Sequence, residues 1–408
     1  MYYYLLAVYW ESAHFVQDGR LSWKTLILSW TVFLLSLPFA VKLSQNEKLD
    51  GNIFFALYLT YFVPALTFWE FNPEPFEYIA VQLIYFFIMA LAIVFIPEFK
   101  FRPRPTTGYK QYYYGVLLAV GAIITYCFLA TGSSFLFSLS SVYDVRSLWA
   151  MESMPVIFRY LFSSCRGLLP LLFGIAVCRK AYRDAVIVLF LVLMSFSIDG
   201  LKSAAFITLL TGCGVFVSWR NKHISDGFLC ITACGMLEYC LFDSYKIVDY
   251  LRRVLAIPAQ LNLFFYDYFS QAENPYDFFR QGLIGKFGFA SPYDTIVYKI
   301  IGGEYYNDWE MLANNGLVSD AFYNLGWSGA VIMPILVVLL IKLISACSAG
   351  LPKQVLLGVT IAVTYWLITA SFFTLFLTHG VIILLIFLYF LPAINTNQIP
   401  DMQYGDSK

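Results

Sequence analysis

The chain has 408 residues, of which 60% are apolar or aromatic and 13% charged, and its 26 basic residues balance 26 acidic ones. A soluble globular chain carries about 45–50% apolar and about 25% charged residues. Together with 39 Phe, 30 Tyr and 9 Trp, this excludes a soluble enzyme, a disordered chain and a nucleic-acid binder acting through bulk positive charge.

A helix that crosses a bilayer needs about 20 mostly apolar residues. In chain order the candidates are residues 25–41, 52–69, 78–96, 112–131, 156–178, 185–197, 203–219, 227–242, 326–345, 355–376 and 380–391. Residues 2–16 add a shorter one that carries Glu11. It lacks the basic start and cleavage site of a signal peptide and is read as retained. The expected fold class is therefore all-α, a polytopic integral membrane protein of about twelve transmembrane helices.

Loops between alternate spans hold Lys42, Lys48, Lys100, Arg102, Arg104, Lys110, Arg179, Lys180, Arg183, Arg220, Lys222 and Lys353. The opposite short loops hold only Arg20, Lys24, Arg146 and Lys202. This bias puts the first set, and the C-terminal tail with Lys408, in the cytoplasm; the N-terminus lies there too if residues 2–16 span, and outside if they do not. Three blocks result: residues 1–242 with about nine spans, 243–325 with none on the outer face, and 326–408 with three more. In the middle block, residues 245–269 read as an amphipathic helix bent at Pro258. Ser291-Pro292-Tyr293-Asp294 reads as the start of a helix that Gly302-Gly303 ends. A small helical cap on the outer surface is expected.

The eight cysteines all lie in or at the ends of apolar runs, and there are only three histidines. No metal-binding spacing, Walker motif or GxSxG pattern is present, so no metal or cofactor is expected.

Charges within a bilayer mark functional sites by default. Arg159 and Arg166 share one face of the 156–178 span, with Arg166 about 10 Å deeper. Snorkelling, a structural ion pair and a polar substrate cavity all remain open for them. Asp199 and Lys202 cap two short apolar runs, either at a binding site or as a pair that stabilises a hairpin. Arg252 and Arg253 lie just before Pro258. Asp320 suits the start of a helix, where capping alone would explain it. His379 interrupts the last apolar stretch, as a base, a phosphate donor or a turn residue. With Arg146, all of these map to the outer face or outer half, and the inner half reads as nearly uncharged apart from its loops. A phosphate-bearing substrate at the outer headgroup level fits, because arginine binds phosphate bidentately and several cations can stabilise a diphosphate leaving group.

The stretch NNGLVSDAFYNLGWSG (314–329), DGLKSAAF (199–206) and RRVLAIPAQLNLFFYDYF (252–269) resemble segments of the bacterial O-antigen (Wzy-type) repeat-unit polymerases. The plan of about twelve spans with one long outer loop before the last three is also similar to that family. The resemblance implies a metal-independent, GT-C-like membrane glycosyltransferase in a bacterial inner membrane, with its large helical loop in the periplasm. Its substrates would be oligosaccharides on undecaprenyl diphosphate, joined from one lipid carrier to a sugar hydroxyl on another. It further implies membrane lipids, a chain-length regulator and a flippase as partners, and no nucleic acid.

Mapped onto this chain, Arg166, Arg252 and Arg253 would hold the donor diphosphate, with Arg146, Arg159 and Lys202 as further phosphate ligands. Asp320 or His379 would be the catalytic base, beside Arg166. Asp199, Asn314 and Asn315 would support the site. Three rival readings are an O-antigen ligase acting on lipid A core, a polysaccharide-lipid flippase or transporter, and a non-catalytic export scaffold.

Overall fold

The computed structural model describes residues 22–45, 48–71, 75–101, 103–135, 154–219, 233–241, 255–282 and 284–394. Among them the regular structure is helical throughout, with no strand. Among the described residues six helices are long and apolar enough to cross a membrane. They are α1 (Trp23–Ser44), α2 (Leu49–Phe71), α3 (Phe76–Phe95), α4 (Tyr109–Ala130), α5 (Val156–Cys178) and, later in the chain, α10 (Val318–Ser348). Between them come α6 (Tyr182–Asp199), α7 (Lys202–Trp219), α8 (Ile257–Ser270) and α9 (Val297–Tyr306). The chain continues through α11 (Lys353–Thr369), α12 (Phe372–Thr378) and α13 (Val381–Phe390). Residues 233–241, within the expected 227–242 span, are helical. The short 2–16 candidate lies outside the described residues.

Two compact units form. The first gathers α1–α3, α8, α9, α10 as far as Ser345, the end of α11 and most of α12; the second gathers α4–α7, the last turn of α10, the start of α11 and α13.

In the first unit α2 is almost wholly buried. Its middle, Tyr58–Phe62, is a π turn. Pro64 follows it and has no N–H to give to the Thr60 carbonyl, so the helical ladder is already interrupted there. In this helix the Tyr61 hydroxyl points at Asn262 of α8 and lies 2.7 Å from its Oδ1.

α10 contains a break at Gly326 (φ 56°, ψ −136°), the residue where the sequence places the start of a span. The ring of Tyr276 occupies the position a Cβ would take there. In this left-handed conformation glycine is the residue without strain.

Residues 255–256 are π-helical and run directly into α8, whose first turn holds Pro258; the expected helix from 245 to 254 lies outside the described residues. Two local expectations change. α9 starts at Val297 and runs through Gly302-Gly303 to an Asn307 cap. Ser291 does not cap it: its hydroxyl donates to Asp277 Oδ1 (2.6 Å) and accepts from Tyr293 N (3.1 Å). The two glycines serve packing, since the returning loop at Asp308, Trp309 and Met311 lies where their side chains would be. The expected 355–376 span is two helices, α11 and α12, with a break at Ala370-Ser371.

Candidate functional site

A buried polar cluster in the first unit surrounds the entry of α10. Residues 311–316 lead into it without regular structure, and Asn315, Gly316 and Leu317 are buried. Asn315 Nδ2 donates to Pro258 O (2.9 Å) and to Ser319 Oγ (2.8 Å), and Ser319 Oγ donates to Asn262 Oδ1 (2.7 Å). Tyr61 closes the set against Asn262 Oδ1 and Gly316 O (2.8 Å). Asn314, beside it, is exposed.

Asp320 is 1% exposed. Its Oδ2 accepts from Phe372 N (2.8 Å), and its Oδ1 accepts from Asn324 Nδ2 (3.2 Å). It therefore caps α12, a helix 52 positions away, in addition to lying in the first turn of α10. The packing beside it is mainly apolar, with Met333, Val337 and Leu367 among its lining side chains. Gly316 N donates to Ile368 O (2.8 Å). In an uninterrupted helix Ile368 O would have accepted from Phe372 N, so the α10 entry supplies both partners that the break in α11–α12 requires.

The cap on this entry is built from α8 and α9. Tyr306 donates to Gln260 Oε1 (2.9 Å), Tyr305 donates to Asp267 Oδ2 (2.5 Å), and the Phe264 and Tyr305 rings stack at 4.3 Å. Burial, then the bond to Asp267, raise the Tyr305 phenol above its ordinary range, so it remains a donor.

The second unit holds the other residues. The Arg166 guanidinium forms an ion pair with Asp199, the last residue of α6; the side chains are 15% and 4% exposed. Side chains lean toward their helix N-terminus, which suits a residue midway along α5 reaching the α6–α7 hairpin. Asp199 also accepts from Leu201 N (3.0 Å), and Gly200 makes the turn at φ 65°. Of the readings open for Arg166, the structural ion pair is the one observed, and its burial needs no substrate phosphate to explain it. Asp199 pairs with Arg166; its expected pairing with Lys202 falls on a side chain outside the described residues.

Arg159 is half-buried on α5. His379 follows α12, with Nδ1 3.0 Å from Thr378 Oγ1. Its neighbour Gly380 lies against the backbone of Ser164, two residues from Arg166 and so about 200° around α5. Arg146, Arg252 and Arg253 lie outside the described residues. Lys202 opens α7, and its side chain is likewise outside them.

The reading of a nearly uncharged inner half is corrected by Lys342 and Asp50. Lys342 Nζ lies 2.6 Å from Asp50 Oδ2, joining α10 to α2, with the side chains 5% and 4% exposed. The signal was present, because Lys342 is a lone cation inside the apolar run PILVVLLIKLISAC. Arg104, read as a loop charge that sets orientation, is also committed: it donates to Leu388 O (2.8 Å), Leu391 O (2.6 Å), Ala349 O (2.5 Å) and Cys347 O.

No protein-family model, curated protein or solved structure matches this chain. The observations establish a helical protein with several helices fit to span a membrane.

Proposed function

We propose that the chain is a polymerase of lipid-linked oligosaccharide repeat units. In this reading it crosses a bacterial inner membrane about twelve times, in a GT-C-like arrangement, with residues 243–325 forming a periplasmic cap. One observation carries the reading. The stretch 314–329, which bears the family resemblance, is the hub of the first unit: Asn315, Gly316, Ser319, Asp320 and Asn324 all bond to residues distant in sequence. A cap rich in Tyr, Asn and Gln is locked onto that hub, and such side chains suit hydroxyl recognition and ring stacking.

The reaction joins C1 of the donor glycan to an acceptor hydroxyl and breaks the bond from C1 to the diphosphate. The acceptor proton passes to a base and the bond electrons leave with the diphosphate. Asp320 and His379 are the two candidate bases: both oxygens of Asp320 accept bonds within the protein, and His379 Nδ1 lies 3.0 Å from Thr378 Oγ1. Arg166 spends one of its five N–H donors on Asp199; the rest, with Arg146, Arg159 and Lys202 of the same unit, would meet the diphosphate, and Arg252 and Arg253 stay further phosphate ligands implied by the resemblance alone.

The test is the surface polysaccharide of a strain that lacks the gene. A single capped repeat unit supports the polymerase. Lipid-linked long polymer that never reaches the core indicates a ligase, and absence of any unit outside the cytoplasm indicates a flippase. The interrupted α11–α12 beside buried Asp320 gives the transporter reading its own support, since broken helices frame transporter sites.

A further inference from the structure

Residues 282–290 read Gly-Leu-Ile-Gly-Lys-Phe-Gly-Phe-Ala. A loop facing water would carry polar turn residues; this one has no acid, one cation and two aromatic rings near its tip. Its ends are pinned. Asp277 accepts from Gln281 N (2.8 Å) and Ser291 Oγ (2.6 Å). The Gln281 side chain donates to Thr295 O (2.6 Å) and accepts from Val297 N (2.8 Å). Between these ties Ile284–Phe287 is a single 3-10 turn with no buried residue, and Phe287 and Phe289 are 75% and 62% exposed.

The pins fix where the loop emerges. Asp277 N and Phe278 N donate to Tyr323 O (3.0 Å) and Asn324 O (3.1 Å), just before the Gly326 break of α10. Beyond the break, Trp327, Val331 and Ile335 follow at four-residue spacing, and with Ile332 they leave an exposed apolar stripe. Phe278, also exposed, is tied by its N–H to Asn324 O just before that stripe begins.

We infer that the 282–290 loop dips into the headgroup region of the leaflet that α10 enters at Trp327. Phe287 and Phe289 sit at the top of the acyl chains, and Lys286 lies at the lipid phosphates. Phenylalanine rings bury at the headgroup–acyl boundary, and a lysine can lay its stem along apolar surface while its ammonium reaches the phosphates. The loop brings no carboxylate that those phosphates would repel.

The full-length chain carries p-benzoylphenylalanine in place of Phe287 or, separately, Phe289, and is reconstituted in nanodiscs of phosphatidylethanolamine and phosphatidylglycerol. After irradiation the intact mass is read. Both positions should gain the mass of one phospholipid, as should the same probe in place of Ile332 on α10, whereas the probe in place of Glu310, which is 87% exposed on the cap, should gain none. Crosslinks to a second copy of the chain, or no lipid adduct at either loop position while the Ile332 site labels, would overturn the inference.

Discussion

Asp320 accepts the backbone hydrogen bond of Phe372 at 2.8 Å, and the carbonyl that a continuous helix would have offered, that of Ile368, accepts Gly316 N instead. The break between α11 and α12 is thus written partly in the α10 entry. Asp320→Asn keeps an acceptor at this place and should melt close to the unmodified protein. Asp320→Ala orphans the Phe372 N–H and should cost about 1–3 kcal/mol. Chain polymerisation should survive Asp320→Asn. Its loss in a variant of undiminished thermal stability would make Asp320 the base.

Arg166 and Asp199 separate a structural from a chemical role. Removing either partner leaves a charge with little access to water, so Arg166→Ala and Asp199→Ala should both lower the melting temperature in detergent. The swapped pair, Arg166→Asp with Asp199→Arg, restores the attraction but moves the cation off α5. If Arg166 also meets the diphosphate, the swap recovers stability while polymer synthesis falls by ~10²-fold or more, the scale seen when a donor to developing negative charge is removed. Recovery of both would leave Arg166 a structural residue.

Much of the architecture was legible because it is local. The span at 156–178 has the same bounds in sequence and structure, and the apolar run beginning at Gly326 coincides with the break in α10. Asp320 with Asn324 is an i, i+4 pair that a helical reading brings together; Asn315 with Ser319 has the same spacing, but Asn315 stands before the helix. The exchanges of partner between distant segments were not legible. Hydropathy runs unbroken through Ala370-Ser371, and only Gly316 and Asp320, arriving from α10, divide it. Ser291 carries the local signature of a cap, but Asp277 lies close enough to take its hydroxyl. Long-range hydrogen bonds leave no periodic trace in a single chain.

Lys342 and Asp50 should be coupled energetically. Breaking a buried pair from one side costs about 3–5 kcal/mol, whereas replacing both partners with apolar residues of similar volume is often neutral or stabilising. Lys342→Met and Asp50→Leu should each depress folded yield and melting temperature, and the double variant should recover most of both. Additive losses in the double variant would show that the two side chains act separately.

Arg104 binds main-chain carbonyls at the C-terminal ends of both α10 and α13. Helix C-termini leave carbonyls without intrahelical partners and carry partial negative charge, so a planar cation with several donors suits this place better than a point charge. Arg104→Ala should destabilise by more than a single charged hydrogen bond, which contributes about 1.5–3 kcal/mol. Arg104→Lys should recover only part of the loss, because the ammonium keeps the charge and loses the fork. Lys100→Ala supplies the comparison: that residue is exposed in the same linker and should change stability by less than about 0.5 kcal/mol. Equal melting temperatures for Arg104→Ala and Lys100→Ala would reduce Arg104 to one more loop charge that biases orientation. A large difference would show that this arginine ties the ends of two helices together, a role that the count of positive charges in the loops does not reveal.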